Sequence, residues 1–161
     1  MARVKLDEID RKILAQLQAT GRITNVRLAR NVGISPPPCL RRVRALEKAG
    51  YIKGYHANLD PTSLGFGVTV FAHVGLHSQA EHDLAAFEER VRAWPMVREC
   101  WMMAGDTDFI LKVVAKDWDA YQNWLTRELV ASPNVDTVRS TLAIRESKHL
   151  PGVPLEIVPA G

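Results

Sequence analysis

Ser35-Pro36-Pro37-Pro38-Cys39-Leu40-Arg41-Arg42-Val43-Arg44-Ala45-Leu46-Glu47-Lys48-Ala49-Gly50-Tyr51-Ile52-Lys53-Gly54-Tyr55 is the stretch whose reading decides the fold. Serine is a favoured helix N-cap, and proline is tolerated in a first turn whose N–H groups lack intrahelical partners anyway. A residue before proline avoids the α region. Pro36 and Pro37 are therefore expected to be extended or distorted, with regular helix from about Pro38. At roughly 100° per residue, Leu40, Val43 and Leu46 form a buried face. Arg41, Arg44 and Lys48 share another face, with Arg42 at its edge. Gly50 stops the helix. Tyr51 to Leu59 reads as a strand or small hairpin turned at Lys53-Gly54. An arginine-studded helix followed by such a strand has the build of a recognition helix and wing.

Upstream lie two short helical patterns. Asp7 caps the first, with Ile9, Ile13, Leu14 and Leu17 on one face and Gly21 after its end. The second starts near Thr24 or Asn25 and uses Val26, Leu28, Ala29 and Val32. Val32-Gly33-Ile34 is the turn into the arginine helix. Residues 1–54 hold twelve Lys/Arg against four Asp/Glu, and the remainder nine against fourteen, within a net charge of +3. A basic first third suits a polyanion, and the acidic remainder repels one.

Downstream of Asp60-Pro61 the pattern alternates. Val68 to Leu76 is a strand. Leu84, Phe87, Val91 and Trp94 are helix-spaced and end at Pro95. Val97 to Met103 and Phe109 to Ala115 are strands joined by a Gly-Asp-Thr-Asp turn. Asp117 caps a helix with Trp118, Tyr121, Leu125 and Leu129 on one face, broken at Pro133-Asn134. Val135 to Arg145 is the last strand. The order β-α-β-β-α-β is the ferredoxin-like split unit. The fold class is α+β: a (winged) helix-turn-helix domain over 1–60, with its motif at about 25–44, a linker at 61–66, the βαββαβ domain over 67–150, and an irregular tail at 151–161.

These segments together resemble the leucine-responsive/asparagine-operon (Lrp/AsnC) regulators, also called feast/famine regulators. The resemblance rests on Leu6-Asp7-Glu8-Ile9-Asp10-Arg11-Lys12-Ile13-Leu14, Gly21-Arg22-Ile23-Thr24-Asn25, the Ser35–Val43 and Gly50–Tyr55 segments, and Gly105-Asp106-Thr107-Asp108-Phe109. It covers nearly the whole chain. It implies that the second domain is the family's amino-acid-metabolism regulatory (RAM/ACT-like) domain. It implies dimerisation through the sheets and further assembly, often to octamers. It also implies amino-acid effectors bound between dimers near the Gly-Asp turn.

Several residues are candidates for these roles. Arg41, Arg42 and Arg44 suit bases or phosphates, since arginine pairs bidentately with guanine. Ser35 and the backbone of Pro36, Pro37 and Pro38 are expected near phosphate or the groove wall. Thr24 and Asn25, opening the preceding helix, are candidate phosphate ligands. Arg42→Ala is expected to weaken operator binding and flatten its salt dependence, although one of the three arginines can instead serve as an internal ion pair. Gly105, Asp106, Thr107 and Asp108 form a turn first of all. Turn N–H groups also suit a carboxylate, and an aspartate suits an ammonium group. Thr137, Ser140 and Thr141 are further effector candidates from a neighbouring subunit. Trp101 and Met103 share a strand face suited to a dimer interface.

The longest apolar stretch, Gly65 to Leu76, is too short for the roughly 20 residues of a membrane span, and the N-terminus has no apolar signal core. The chain reads as cytoplasmic, without a membrane partner. Cys39 and Cys100 make neither a disulfide framework nor a metal cluster and are expected to be reduced and at least half-buried; a redox role for Cys39 is a lesser alternative. Asp106 and Asp108 lack a third ligand for a metal. No nucleophile–base pair, phosphate loop or metal spacing appears. The expectation is a sequence-specific transcriptional regulator without catalytic residues, metal or cofactor, binding double-stranded DNA and an amino acid. An architectural DNA-binding protein without effector is the alternative, and a small enzyme fused to a DNA-binding head the remote one.

Overall fold

A computed structural model describes residues 5–155. The chain divides into two compact units. One comprises the N-terminal segment through Asn58 together with the chain from Lys148 onward, and the other is Leu59–Ser147.

The first unit holds α1 (Glu8–Ala19), α2 (Asn25–Val32) and α3 (Pro36–Lys48). Asp7 caps α1 in a reciprocal box: its side chain accepts from the Asp10 N–H at 2.8 Å, and its own N–H donates to Asp10 at 3.2 Å. Thr24 caps α2 by accepting from the Arg27 N–H. Gly33 then turns the chain into α3 at φ 78°, the left-handed region that glycine enters without steric cost. The core of this unit is Ile13, Leu28, Ala29, Val32, Cys39, Val43 and Leu46.

Four features differ from the sequence reading. Helix α3 begins at Pro36, because all three prolines fit into its first turn, where no N–H is required. Its buried stripe is Cys39, Val43 and Leu46, and Leu40 is exposed. Val26 also faces out, at 59% exposure. Residues 51–60 form no strand, so the segment after α3 is an irregular arm. Its anchor is Tyr55, whose hydroxyl donates to Glu47 at 2.9 Å. Burial, together with that carboxylate, pushes the phenol up to about 12.

The second unit builds β1 (Val68–Leu76), α4 (Glu81–Arg92), β2 (Val97–Met102), β3 (Phe109–Ala115), α5 (Trp118–Trp124) and β4 (Val135–Leu142). The sheet order is β2-β3-β1-β4, with every neighbour antiparallel. Val70, Ala72, Val74 and Leu76 of β1 and Phe109, Leu111, Val113 and Ala115 of β3 face the helices. They pack against Phe87, Val91, Trp94, Tyr121, Trp124 and Leu129. Alternation puts Thr69, Phe71, His73 and Gly75 on the opposite face, beside Ile110, Lys112 and Val114 of β3.

Here too the structure departs from expectation. The last strand ends at Leu142 rather than Arg145. Helix α5 passes into a π-turn over Leu125–Leu129, where the Val130 N–H reaches back to the Leu125 carbonyl at 2.8 Å. Trp118 is exposed at the start of α5 while Tyr121 and Leu129 are fully buried. Cys39 is buried but Cys100 is exposed. Both thiols are pushed up by desolvation, Cys100 to about 11 with Glu88 contributing.

Candidate DNA-reading face and effector turn

Helix α3 has two sides with different tasks. Cys39, Val43 and Leu46 hold the core, which turns Pro37, Arg41, Arg44 and Lys48 outward by the helical repeat, and all four are exposed. The prolines have a further consequence. Pro36, Pro37 and Pro38 carry no N–H, and the Cys39 N–H is bonded to the Ser35 carbonyl at 3.3 Å. The first three residues of α3 therefore offer no backbone donor to a phosphate, which leaves only the N-cap Ser35 N–H of the usual four. Ser35 makes no side-chain cap and is exposed.

Arg42 is placed differently from its neighbours. Its guanidinium Nη1 lies 2.7 Å from both Asp7 and Asp10 at the start of α1. Asp10 is the more enclosed partner, with 11% of its side chain exposed. The Asp10 N–H first, and the Arg42 guanidinium after it, hold the Asp7 carboxyl below its ordinary value, and the two carboxylates raise Arg42. Arg42 is thus the arginine that serves as an internal ion pair. It fastens the arginine helix to α1.

Asn25 is likewise turned inward. Its Nδ2 donates to the Pro36 carbonyl at 2.8 Å, and its Oδ1 is buried without a partner. The bond joins the start of α2 to the start of α3. Thr24 stays exposed, with its hydroxyl oxygen already accepting the cap bond.

The Gly105–Asp108 turn divides in the same way. Gly105 sits at φ 147°, a conformation that L side chains rarely adopt. The Thr107 hydroxyl donates to the Val74 carbonyl at 2.9 Å. The Asp108 carboxylate accepts from the Leu76 N–H at 2.7 Å and from Gln79 Nε2 at 3.4 Å. These bonds pin the turn to the end of β1, where its register with β4 shifts between Gly75 and Leu76. Asp106 is exposed and makes no ion pair among the described residues. Thr137 and Thr141 lie on the open face of the sheet, opposite Gly75 and Phe71. Ser140 lies on the other face, hydrogen-bonded to the Tyr121 hydroxyl. The three β4 candidates therefore do not share one surface. Gln79, beside Asp108, carried no signal in the sequence.

Comparison with known proteins places this arrangement. A model of the Lrp/AsnC ligand-binding domain matches residues 69–153, and one of winged helix-turn-helix DNA-binding domains matches residues 6–53. The chain belongs to the Lrp/AsnC family. It is 53% identical over 148 residues to a leucine-responsive regulatory protein of Rhizobium meliloti, covering 92% of this chain and 95% of the relative. It is 45% identical to the Bkd operon transcriptional regulator of Pseudomonas aeruginosa, over 88% of this chain and 92% of that one. Among solved structures, a transcriptional regulator from Neisseria meningitidis in complex with L-Met superposes with a TM-score of 0.88 at 37% identity. That match covers 93% of this chain and 97% of that one. The Lrp/AsnC chain described here thus pairs a DNA-binding helix-turn-helix unit with a ligand-binding βαββαβ unit, as transcriptional regulators of this family do. No group of three or more His, Cys, Asp or Glu side chains is arranged to hold a metal among the described residues. No helix of the described residues is long and apolar enough to cross a membrane.

Proposed function

We propose that the chain is a cytoplasmic, non-catalytic regulator that reads operator DNA with the outward face of α3 and responds to an amino acid. The observation that carries this reading is the separation of charge on α3. Arg41, Arg44 and Lys48 are exposed opposite the buried stripe, while Arg42 is spent on Asp7 and Asp10. Arg41 and Arg44 contact base edges and phosphates. Pro37, with Ser35, Pro36 and Pro38 around it, lies against the groove wall. With three of its four N-terminal donors removed, α3 leaves phosphate anchoring chiefly to the start of α2 at Thr24.

The effector binds at the Gly105–Asp106 edge of the turn, where the Asp106 carboxylate is available to an ammonium group. Thr107 and Asp108 shape that edge through their bonds to β1. Two copies associate through the open sheet face, where Phe71 and Trp101 are 37% and 61% exposed. The resulting two-fold places two α3 helices in successive major grooves, about 34–36 Å apart. Dimers assemble further, to an octamer, with effectors bound between them.

Gel-shift on the DNA upstream of the protein's own gene, with and without each amino acid, tests the reading. Retarded complexes whose affinity or size changes with one amino acid support it. Equal affinity for that fragment and for random DNA would refute it.

A further inference from the structure

We infer that Pro37 selects thymine: its exposed ring, in the first turn of α3, takes the C5-methyl group of one thymine in each operator half-site. The inference rests on the proposed entry of α3 into the major groove and adds the base that its first turn selects.

That first turn is apolar. Pro36, Pro37 and Pro38 open the helix, and none carries an N–H. Ser35 makes no side-chain cap, and the Cys39 N–H is bonded to the Ser35 carbonyl. Pro36 and Pro38 are half-buried, and Pro37 alone of the three is exposed. At about 100° per residue, Pro37 shares its face with Arg41 and Arg44. Cys39, Val43 and Leu46 hold the opposite face in the core. Whatever the two arginines meet, Pro37 meets as well.

A local rule is broken at the same place. Pro36 and Pro37 each precede a proline, which disfavours the α region, yet both lie within α3. Conflicts of this kind between local preference and fold concentrate at functional positions.

Position and chemistry together name the base. A helix-turn-helix contacts base edges from the start of its recognition helix, where Pro37 lies. A pyrrolidine ring neither donates nor accepts a hydrogen bond. Laid against the polar edge of guanine, adenine or cytosine, it strips water from donors and acceptors and gives nothing back. Among the groups that the base pairs show in the major groove, the C5-methyl of thymine is the apolar one. Pro37 thus attracts thymine and penalises the other three bases.

Arg41 fixes the neighbour. Arginine pairs bidentately with guanine. Pro37 and Arg41 are a helical turn apart, about 6 Å along the axis, and successive base pairs are about 3.4 Å apart. The selected thymine therefore lies within about two base pairs of the guanine that Arg41 takes.

The test deletes one methyl group at a time. Each thymine in the stretch of the protein's own upstream DNA that the full chain protects from nuclease is replaced in turn by deoxyuridine. Binding is followed by fluorescence anisotropy. At one thymine per half-site, replacement is expected to weaken wild-type binding about fourfold, the worth of one methyl group returned to water. In Pro37→Ser the ratio between thymine and deoxyuridine at that position is expected to fall to about one, with every other position unchanged. Pro37→Ala, which keeps a smaller apolar group, is expected to fall between the two. Pro37 is exposed at a helix start that accepts serine and alanine, so both variants fold, which a thermal melt checks. A protected stretch in which no thymine responds overturns the inference. So does a responding thymine whose ratio survives Pro37→Ser, or is lost instead with Val26→Ser, Val26 being exposed at the start of α2. If Arg41→Ala and Arg44→Ala still weaken binding in those cases, the reading of α3 stands and the thymine assignment alone fails. Wild-type affinity in both arginine variants removes the reading on which the assignment rests.

Discussion

Adjacent arginines on α3 do different work. Arg42 is held 2.7 Å from two aspartates of α1, whereas Arg41 and Arg44 are exposed on the far side of the helix. Arg42→Ala is therefore expected to act through stability. It leaves the enclosed Asp10 without its cation and costs about 1–3 kcal/mol, read as a lower denaturation midpoint. The flatter salt dependence of DNA binding that the sequence led one to expect of Arg42 moves to Arg41 and Arg44. The Asp7 carboxyl has a matching pH signature. Its pKa in the folded unit lies below the ordinary 3.8. Its contribution is thus complete above that value and is lost as the pH falls through the lower folded one. Nearly half of the Asp7 side chain is exposed, so the effect is small. In thermal melts across acid pH, Asp7→Asn is expected to be less stable than wild type at neutral pH and to converge with it below pH 3.8. A constant gap between the two would contradict this.

Elements were legible wherever one rule governed them. Strict alternation over Val68–Leu76 and Phe109–Ala115 marked β1 and β3 to the residue. Gly33 announced the turn between α2 and α3, and its φ of 78° shows why. Gly33→Ala is expected to cost about 1 kcal/mol, measurable by urea denaturation. The prolines were misread because two rules compete there. Avoidance of the α region before proline lost to the ease of placing prolines where no N–H is needed. The arm after α3 was misread because alternation over Tyr51–Leu59 has no partner strand within its unit. The π-turn left no trace, since one extra residue per turn hardly disturbs the spacing of Leu125 and Leu129. Ser140 was misplaced for want of register. A single step along β4 decides the sheet face, and the pairing of Ala72 with Ser140 turns that hydroxyl toward Tyr121.

At the scale of the whole molecule, a basic DNA-binding unit is joined to an acidic ligand-binding one. Charge asymmetry and element order made that division legible. The partition of each site was not, because it depends on pairings between residues distant in sequence, such as Arg42 with Asp7 and Asp108 with Leu76. The open sheet face holds Phe71, Ile110, Val114 and Trp101. Trp101→Asp would bury a carboxylate at the proposed interface and is expected to shift sedimentation toward the monomer. An unchanged sedimentation coefficient would place the interface elsewhere.

The central claim is that the outward face of α3 reads DNA and Arg42 does not. Its most direct test is the salt dependence of binding by the full chain to its own upstream DNA, followed by fluorescence anisotropy for wild type, Arg41→Ala, Arg44→Ala and Arg42→Lys. Arg41→Ala and Arg44→Ala are expected to lower affinity and to reduce the slope of log K against log salt by about 1 for each phosphate no longer neutralised. Arg42→Lys, which keeps the charge at the α1 clamp, is expected to leave the slope unchanged. A slope reduced by Arg42→Lys, together with wild-type slopes for Arg41→Ala and Arg44→Ala, would contradict the account.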